Sequence, residues 1–399
     1  MDEGNRTVSG RQLWERRCNS MTVKDNWKTY QFMQIADNVV DRVMPSSGDE
    51  GKYIGLEHMD TGSLHITRWG SETELIGEKL RIQKGDILFA RRNAYLKRVA
   101  IAPFDGIFSA HGMVLRPKTD IIAEEFFPFF VLSDVFLDRA IQISVGSLSP
   151  TVNWGTLKKE AFSLPSIEDQ QRIAKLLWAA EKQIISLEQV VENTRVLRNT
   201  YYAHTQNEKF FNENKKPYKL LSVEESYGIF NNLRKPISAT ERSTMQGKYP
   251  YYGPTGILDY INEYRVEGEY VLIGEDGDHF LKNEIWNMTQ LIYGKNNVNN
   301  HAHILKGKNG NLTKWFYYYF KHRDIKSHLS KQGSGRLKLN KSTLQKMKLV
   351  IPQITTQEYL CNQYDEIEKA LAGSINGLEN AKNVLNSLIR FFLGGATNV

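Results

Sequence analysis

Two long stretches carry apolar residues in alternating steps of four and three. In the first, the stripe runs Ile173, Leu177, Ala180, Ile184, Leu187, Val191, Thr194, Arg198 and Tyr201. In the second it runs Leu360, Tyr364, Ile367, Leu371, Ser374, Leu378, Ala381, Leu385, Leu388 and Phe392. A steady spacing of about 3.5 residues keeps a seam pointed at a partner helix as it advances, which predicts coiled-coil helices. Each would hold about 33 residues and extend about 50 Å. Neither can bury its stripe alone, so the pattern predicts that the two pack together; two separate amphipathic helices, each on its own domain, remain the alternative. Gly373 and Gly377 weaken the second helix by about 1 kcal/mol each relative to Ala.

The same pattern exposes a repeat. "VGSLSPTVNWGTLKKEAFSLPSIEDQQRI" at residues 145–173 overlays "QGSGRLKLNKSTLQKMKLVIPQITTQEYL" at 332–360 without a gap, at a constant offset of 187. Gly146 falls on Gly333, Ser147 on Ser334, Leu157 on Leu344, Pro165 on Pro352 and Gln170 on Gln357. Before each helix lies a globular segment of short β-rich runs and Gly turns. "GDILFARR" (85–92) matches "GEYVLIGED" (268–276) as a turn followed by a buried strand, and "AHGMVLRPK" (110–118) matches "NHAHILKGK" (300–308). The expected organisation is a mixed α+β chain. It consists of an extension at 1–26, an α/β domain at 27–165, a long helix at 166–211, a second domain at 212–352, a second long helix at 353–393 and a tail at 394–399. The helical parts stay alike in the two copies while the globular parts diverge, as expected of a shared frame carrying two different readers.

A chain of 399 residues, 41% hydrophobic, predicts two domains or more. No apolar run approaches the roughly 18 residues of a membrane span, and "MDEGNRTVSGRQLWERR" lacks a secretory stretch, so a soluble, cytoplasmic protein is expected. Cys18 and Cys361 stand alone, which offers neither a disulfide framework nor a CxxC zinc site. The net charge is +7; residues 166–211 hold six basic and six acidic residues and 353–399 hold three and five, so the rest of the chain carries +9. That distribution suits an acidic partner, nucleic acid first, although solubility alone would also explain it.

Motifs for self-contained catalysis are missing from the sequence: no GxxxxGK[ST], no GxGxxG after a strand, no GxSxG and no HExxH, nor the Asn/Asp-Pro-Pro-aromatic tetrapeptide of amino-methyltransferases. His301 and His303 in "NHAH" are spaced like a strand-borne metal pair, but the first copy has only His111 and structural roles are expected. Glu275, Asp276 and Asp278 in "GEDGD" read as a Gly-Asp turn with solvated acids, or as acceptors for a cytosine amine. No catalytic or metal-ligating residue is assigned.

Nucleic-acid contacts have better candidates. "ARRNAYLKR" places Arg91, Arg92, Asn93, Tyr95, Lys97 and Arg98 after a strand; Arg reads guanine bidentately and Asn reads adenine. The first Gly-Ser loop adds Ser147, Ser149, Thr151 and Asn153. Its second copy, "KQGSGRLKLNKSTLQKMK", adds Ser334, Arg336 and Lys338 among cations beside exposed backbone N–H groups. "KYPYYGPTG" contributes Tyr251, Tyr252 and Thr255, and "YGKNNVNNH" contributes Lys295, Asn296, Asn297 and Asn300.

With these residues assembled, the chain resembles the DNA specificity subunits of type I restriction-modification systems from Trp27 to about Leu393. The most specific marks are the doubled Gly-Ser loop followed by "LPSIEDQQRI" and "IPQITTQEYL", with "GKYPYYGPTGILDYI" and "YVLIGEDG". Departures are the N-terminal extension, for which Met21 is an alternative start, and Tyr359 to Cys361 in place of the pattern at Arg172 to Ala174. The resemblance implies two target recognition domains joined by two long antiparallel coiled-coil helices, a pseudo-two-fold internal repeat. It also implies a non-catalytic subunit that reads a bipartite, asymmetric site in double-stranded DNA and recruits two adenine methyltransferase subunits and motor-nuclease subunits. No cofactor is expected on this chain; S-adenosylmethionine, ATP and Mg2+ would belong to the partners. A related split-site system with fused methylation and cleavage, a coiled-coil interaction scaffold, and a stand-alone nuclease or methyltransferase are the competing readings.

Overall fold

The computed structural model describes residues 26–394 except 47, 72, 74 and 333–335. Cys18, Met21 and nearly all of the expected extension lie outside the described residues. The segments matched between the two copies form strands, and in each copy they pair with each other. Ile87–Phe89 lies antiparallel to Met113–Pro117, with Leu88 opposite Val114. In the second copy Tyr270–Gly274 lies antiparallel to Ala302–Gly307, with Leu272 opposite Ile304. Each pair is the centre of a four-stranded sheet. The first is flanked by Ala36–Val39 and Val99–Ile101, the second by Tyr227–Ile229 and Thr289–Ile292. A further four-stranded sheet accompanies each, built on Lys79–Ile82 and Gly106–Ser109 in the first copy and on Gln246–Tyr252 and Lys295–Val298 in the second.

The aromatic runs become helices on these sheets. Phe127–Leu132, in "FFPFFVL", is buried throughout, and Ser133 then caps Asp134–Gln142 by accepting the Phe136 N–H. Thr313–Lys321 is the counterpart, with Trp315 Nε1 donating to Val350 O at 2.9 Å. Each globular part closes on itself through a two-stranded pair just ahead of the long helix: Lys28–Gln31 with Ala161–Leu164, and Tyr218–Ser222 with Lys348–Pro352.

The long helices are Ile167–Thr205 and Ile354–Leu393. The first stops short of the expected residue 211. Asn207 adopts an extended backbone and its side chain accepts the Lys209 N–H at 3.0 Å, which starts a separate short helix, Glu208–Glu213. By compactness the chain forms two units, Met1–Ser186 with Leu378–Val399, and Leu187–Gly377. Each unit therefore takes the beginning of one long helix and the end of the other, the pairing sense of an antiparallel coil.

In the first unit, Ile173, Ala174, Leu177 and Ile184 share a core with Leu385, Ile389, Phe392 and Leu393, with Ala180, Leu378 and Leu388 packed at its edge. At the end of this stretch Ile389 is buried more deeply than Leu388. In the second unit the helices are joined by polar groups as well as apolar ones. Val191, Leu360, Tyr364 and Leu371 are buried, Leu187 and Ile367 are half-buried, and Tyr202 is buried while Tyr201 packs half-buried against the same core. Tyr202 Oη donates to Glu368 at 2.9 Å, Lys321 Nζ lies 2.9 Å from the same carboxylate, and Thr205 bonds Tyr364 Oη at 2.7 Å. Cys361 is buried beside them, its thiol pushed up to about 12 by burial, as befits a structural cysteine.

One glutamine latch occurs in both copies. Gln170 accepts the Ala123 N–H at 2.7 Å and donates to Pro165 O and Ile121 O. Gln357 accepts the Leu312 N–H at 3.0 Å and donates to Pro352 O and Asn311 Oδ1. Both are buried, so their amides must be fully bonded within the protein. This accounts for the shared glutamine of the two paragraphs of sequence.

Candidate nucleic-acid interface

The segment that follows each Gly-Ser pair in sequence, 150–152 in the first copy and 337–339 in the second, lies against the turn that ends the central strand, and the same three backbone links hold both. In the first unit, Val152 N–H donates to Arg91 O at 3.0 Å, Arg92 bridges Thr151, and Asn93 N–H donates to Pro150 O at 2.7 Å. In the second, Leu339 N–H donates to Glu275 O at 2.8 Å, Asp276 bridges Lys338, and Gly277 N–H donates to Leu337 O at 3.3 Å. Thr151 and Lys338 are again 187 apart. The third position of the turn needs a positive φ, 55° at Asn93 and 133° at Gly277, and Asn and Gly adopt that region at least cost. Asn93, expected to read adenine, thus has a backbone role.

On this common frame the charges are exchanged. The first turn is cationic. Arg91 Nη2 donates to Ala110 O at 3.3 Å, and the exposed Arg92 lies 3.4 Å from both His111 Nε2 and Ser149 Oγ. Because guanidinium only donates, His111 Nε2 is the acceptor and the ring is neutral. Its pKa is lowered by burial and by the charges of Arg92, Arg91 and Lys79. The loop itself is a hairpin closed by reciprocal bonds between Val145 and Thr151 at 3.1 and 2.9 Å, with Thr151 Oγ1 donating to Ser149 O at 2.9 Å. Ser147 and Asn153 are exposed, as is Tyr95.

The second turn is acidic and its hairpin basic. Glu275 lies between Arg234, Lys338 at 3.3 Å and His303 at 3.7 Å. Burial raises its pKa, but the Arg234 bond and the facing cations hold it below the usual carboxylate value. His303 Nε2 donates to Leu339 O at 2.8 Å while Nδ1 accepts from Asn231 at 2.9 Å, and burial lowers its pKa. This histidine therefore pins the root of the basic hairpin. His301 Nδ1 bonds Asp276 at 2.8 Å, and Asp278 is exposed. Ser334 and the side chain of Arg336 lie outside the described residues. His303 was expected to be structural, which its bond to Leu339 O supports; Arg234 was not singled out, stands in no motif, and only the fold brings it to Glu275.

Several expected contacts are corrected by burial or pairing. Tyr251 is 1% exposed, accepting from Ile237 N–H at 2.9 Å and donating to Lys235 O, so it braces its sheet. Asn296 is buried and donates to Tyr293 O and Gly294 O, and Asn297 is buried with Oδ1 on the Val298 N–H. Lys97 is engaged by Asp134 at 2.9 Å and Asp138 at 2.8 Å, and Asp134 also meets Arg390, which ties the domain to the second long helix. Arg98 donates to Leu56 O at 2.6 Å. Tyr252 is half-buried, whereas Thr255, Lys295 and Asn300 stay accessible; Lys295 sits over the Tyr264 ring, away from the Glu275 turn in sequence. Among the described residues, no group of three or more His, Cys, Asp or Glu side chains is arranged to hold a metal ion, and no helix is long and apolar enough to cross a membrane.

Comparison with known proteins agrees with this architecture. The chain is 35% identical over 145 residues to a Haemophilus influenzae protein provisionally named type I restriction enzyme specificity subunit S.HindORF215P, covering 36% of each. It is 24% identical over 156 residues to the Type I restriction enzyme EcoDI specificity subunit of Escherichia coli, covering 39% of this chain and 34% of that one. The matched stretch thus spans about a third of the length of these curated relatives. A crystal structure of a type I restriction-modification S subunit from M. genitalium superposes with a TM-score of 0.59 at 16% identity, over 93% of this chain and 97% of that one. A chain of another type I R-M system gives 0.57 at 17% identity, over 93% and 98%. The family model for the type I restriction modification DNA specificity domain matches residues 26–197 and again 213–375, and the chain belongs to that family.

Proposed function

We propose that this chain is the non-catalytic DNA-reading subunit of a type I restriction-modification complex. It reads a two-part, asymmetric site in double-stranded DNA and recruits two adenine methyltransferase subunits and, in the restriction complex, motor-nuclease subunits. S-adenosylmethionine, ATP and Mg2+ act on those partners, in the cytoplasm. The observation that carries the reading is the duplicated turn-and-hairpin frame whose backbone links repeat while its side chains change from Arg91 and Arg92 to Glu275 and Asp276. A frame held constant under exchanged charge is what two readers of unlike sequences require, since base edges are distinguished by donor and acceptor pattern.

Domain exchange tests this. Replacing residues 27–165 with the corresponding domain of another specificity subunit should change one half of the methylated motif and leave the other half as it was. A change in both halves, or in neither, contradicts the reading.

A further inference from the structure

The tip of the first hairpin presents a leucine that nothing in the fold uses. Leu148 is 95% exposed, between Ser147 and Ser149, and Val145 at the base of the same hairpin is 59% exposed. An isolated apolar side chain on a surface ordinarily needs no explanation. This one differs because the loop that carries it is tied down by hydrogen bonds. The hairpin is closed by the Val145 and Thr151 bonds, clipped to the turn by the Arg91, Arg92 and Asn93 links, and braced by Arg92 against Ser149. The position 187 residues later is Gly335, so the second copy has no side chain to offer there.

Resting on the DNA-reading role proposed above, we infer that Leu148 is a specificity-determining residue of the first domain: it packs against the 5-methyl group of a thymine in the major groove, beside the base edge addressed by Arg92. The tip of a narrow hairpin loop can enter that groove, where thymine alone presents an apolar methyl. Arg92 is the neighbouring donor, lying 3.4 Å from both His111 Nε2 and Ser149 Oγ. The half-site read by this domain therefore contains a thymine whose methyl group matters, and the other half-site has no counterpart contact from position 335.

The test uses the full chain with the methyltransferase subunits it assembles with, and the motif found by mapping methylated adenines. Duplexes carrying deoxyuridine at one thymine position at a time remove the methyl and nothing else. For the wild-type complex, one such replacement in one half-site should weaken binding about fourfold, the weight of one buried methyl group. Leu148→Ser should bind the parent duplex weaker by the same factor and be indifferent to that deoxyuridine, and Leu148→Met should restore the discrimination. Because the side chain is exposed, Leu148→Ser should melt with the wild type; if it does not, Leu148→Ala repeats the comparison. Equal response of wild type and variant to every deoxyuridine, or a half-site without thymine, overturns the inference. Absence of any sequence preference in the wild-type complex overturns the DNA-reading role beneath it instead.

Discussion

Individual side chains divide into those that touch solvent and those that hold the frame, and substitution separates the two. Tyr251→Phe leaves the Ile237 N–H and Lys235 O without their buried partner and should destabilise the second unit by about 1–3 kcal/mol. Thr255→Ala, four residues on and exposed, should stay within about 0.5 kcal/mol; urea unfolding measures both. Buried histidines set a pH dependence. His279 is held to about 4 by burial against the pull of Asp276 and Asp278, and His322 to about 4 by burial and by Arg198. An unfolded histidine titrates near about 6.5, so between that value and 4 the unfolded chain takes up protons that the native state refuses. Stability should therefore fall as pH drops through this window. Calorimetry at pH 7 and pH 5 should show a melting point lower by a few degrees at the acid end, with His322→Gln reducing the difference. At this scale the sequence was least legible. "KYPYYGPTG" and "YGKNNVNNH" look like loops rich in contact residues, yet Tyr251, Asn296 and Asn297 point into the protein, because whether a polar side chain faces in or out depends on strand pairing that a short mixed run does not encode.

Helices and hairpins obey the sequence more closely. The seam from Ile173 to Ile184 was readable because a period of about 3.5 residues sustained over many turns has few other physical causes. It drifts at the ends, where Tyr202 and Ile389 are the more deeply buried positions. Leu177→Ala, at a fully buried seam position, should cost about 2–5 kcal/mol of the first unit's stability. The glutamine latch makes a matched pair of predictions. Gln170→Leu and Gln357→Leu each strand a buried N–H and a proline carbonyl, and each should lower the unfolding midpoint of its own unit by an amount worth about 1–3 kcal/mol. Comparable effects in the two units would follow from the N–H and proline carbonyl that both latches satisfy. The constant offset of 187 aligned Gln170 with Gln357 and the two Gly-Ser loops but did not say what they bond, whereas the Arg234, Glu275, Lys338 and His303 cluster joins four separated segments and has no linear signature.

For the whole molecule the central claim is that two unlike readers are carried by one repeated frame, with the chemistry left to other polypeptides. The direct measurement is the adenine methylation pattern of host DNA, read base by base in cells with this gene intact and in cells with it deleted in frame. One two-part asymmetric motif, and no other, should lose its methylation on deletion and regain it when the gene is returned. Modified sites unchanged by the deletion, or purified chain that methylates DNA without a partner, would contradict it.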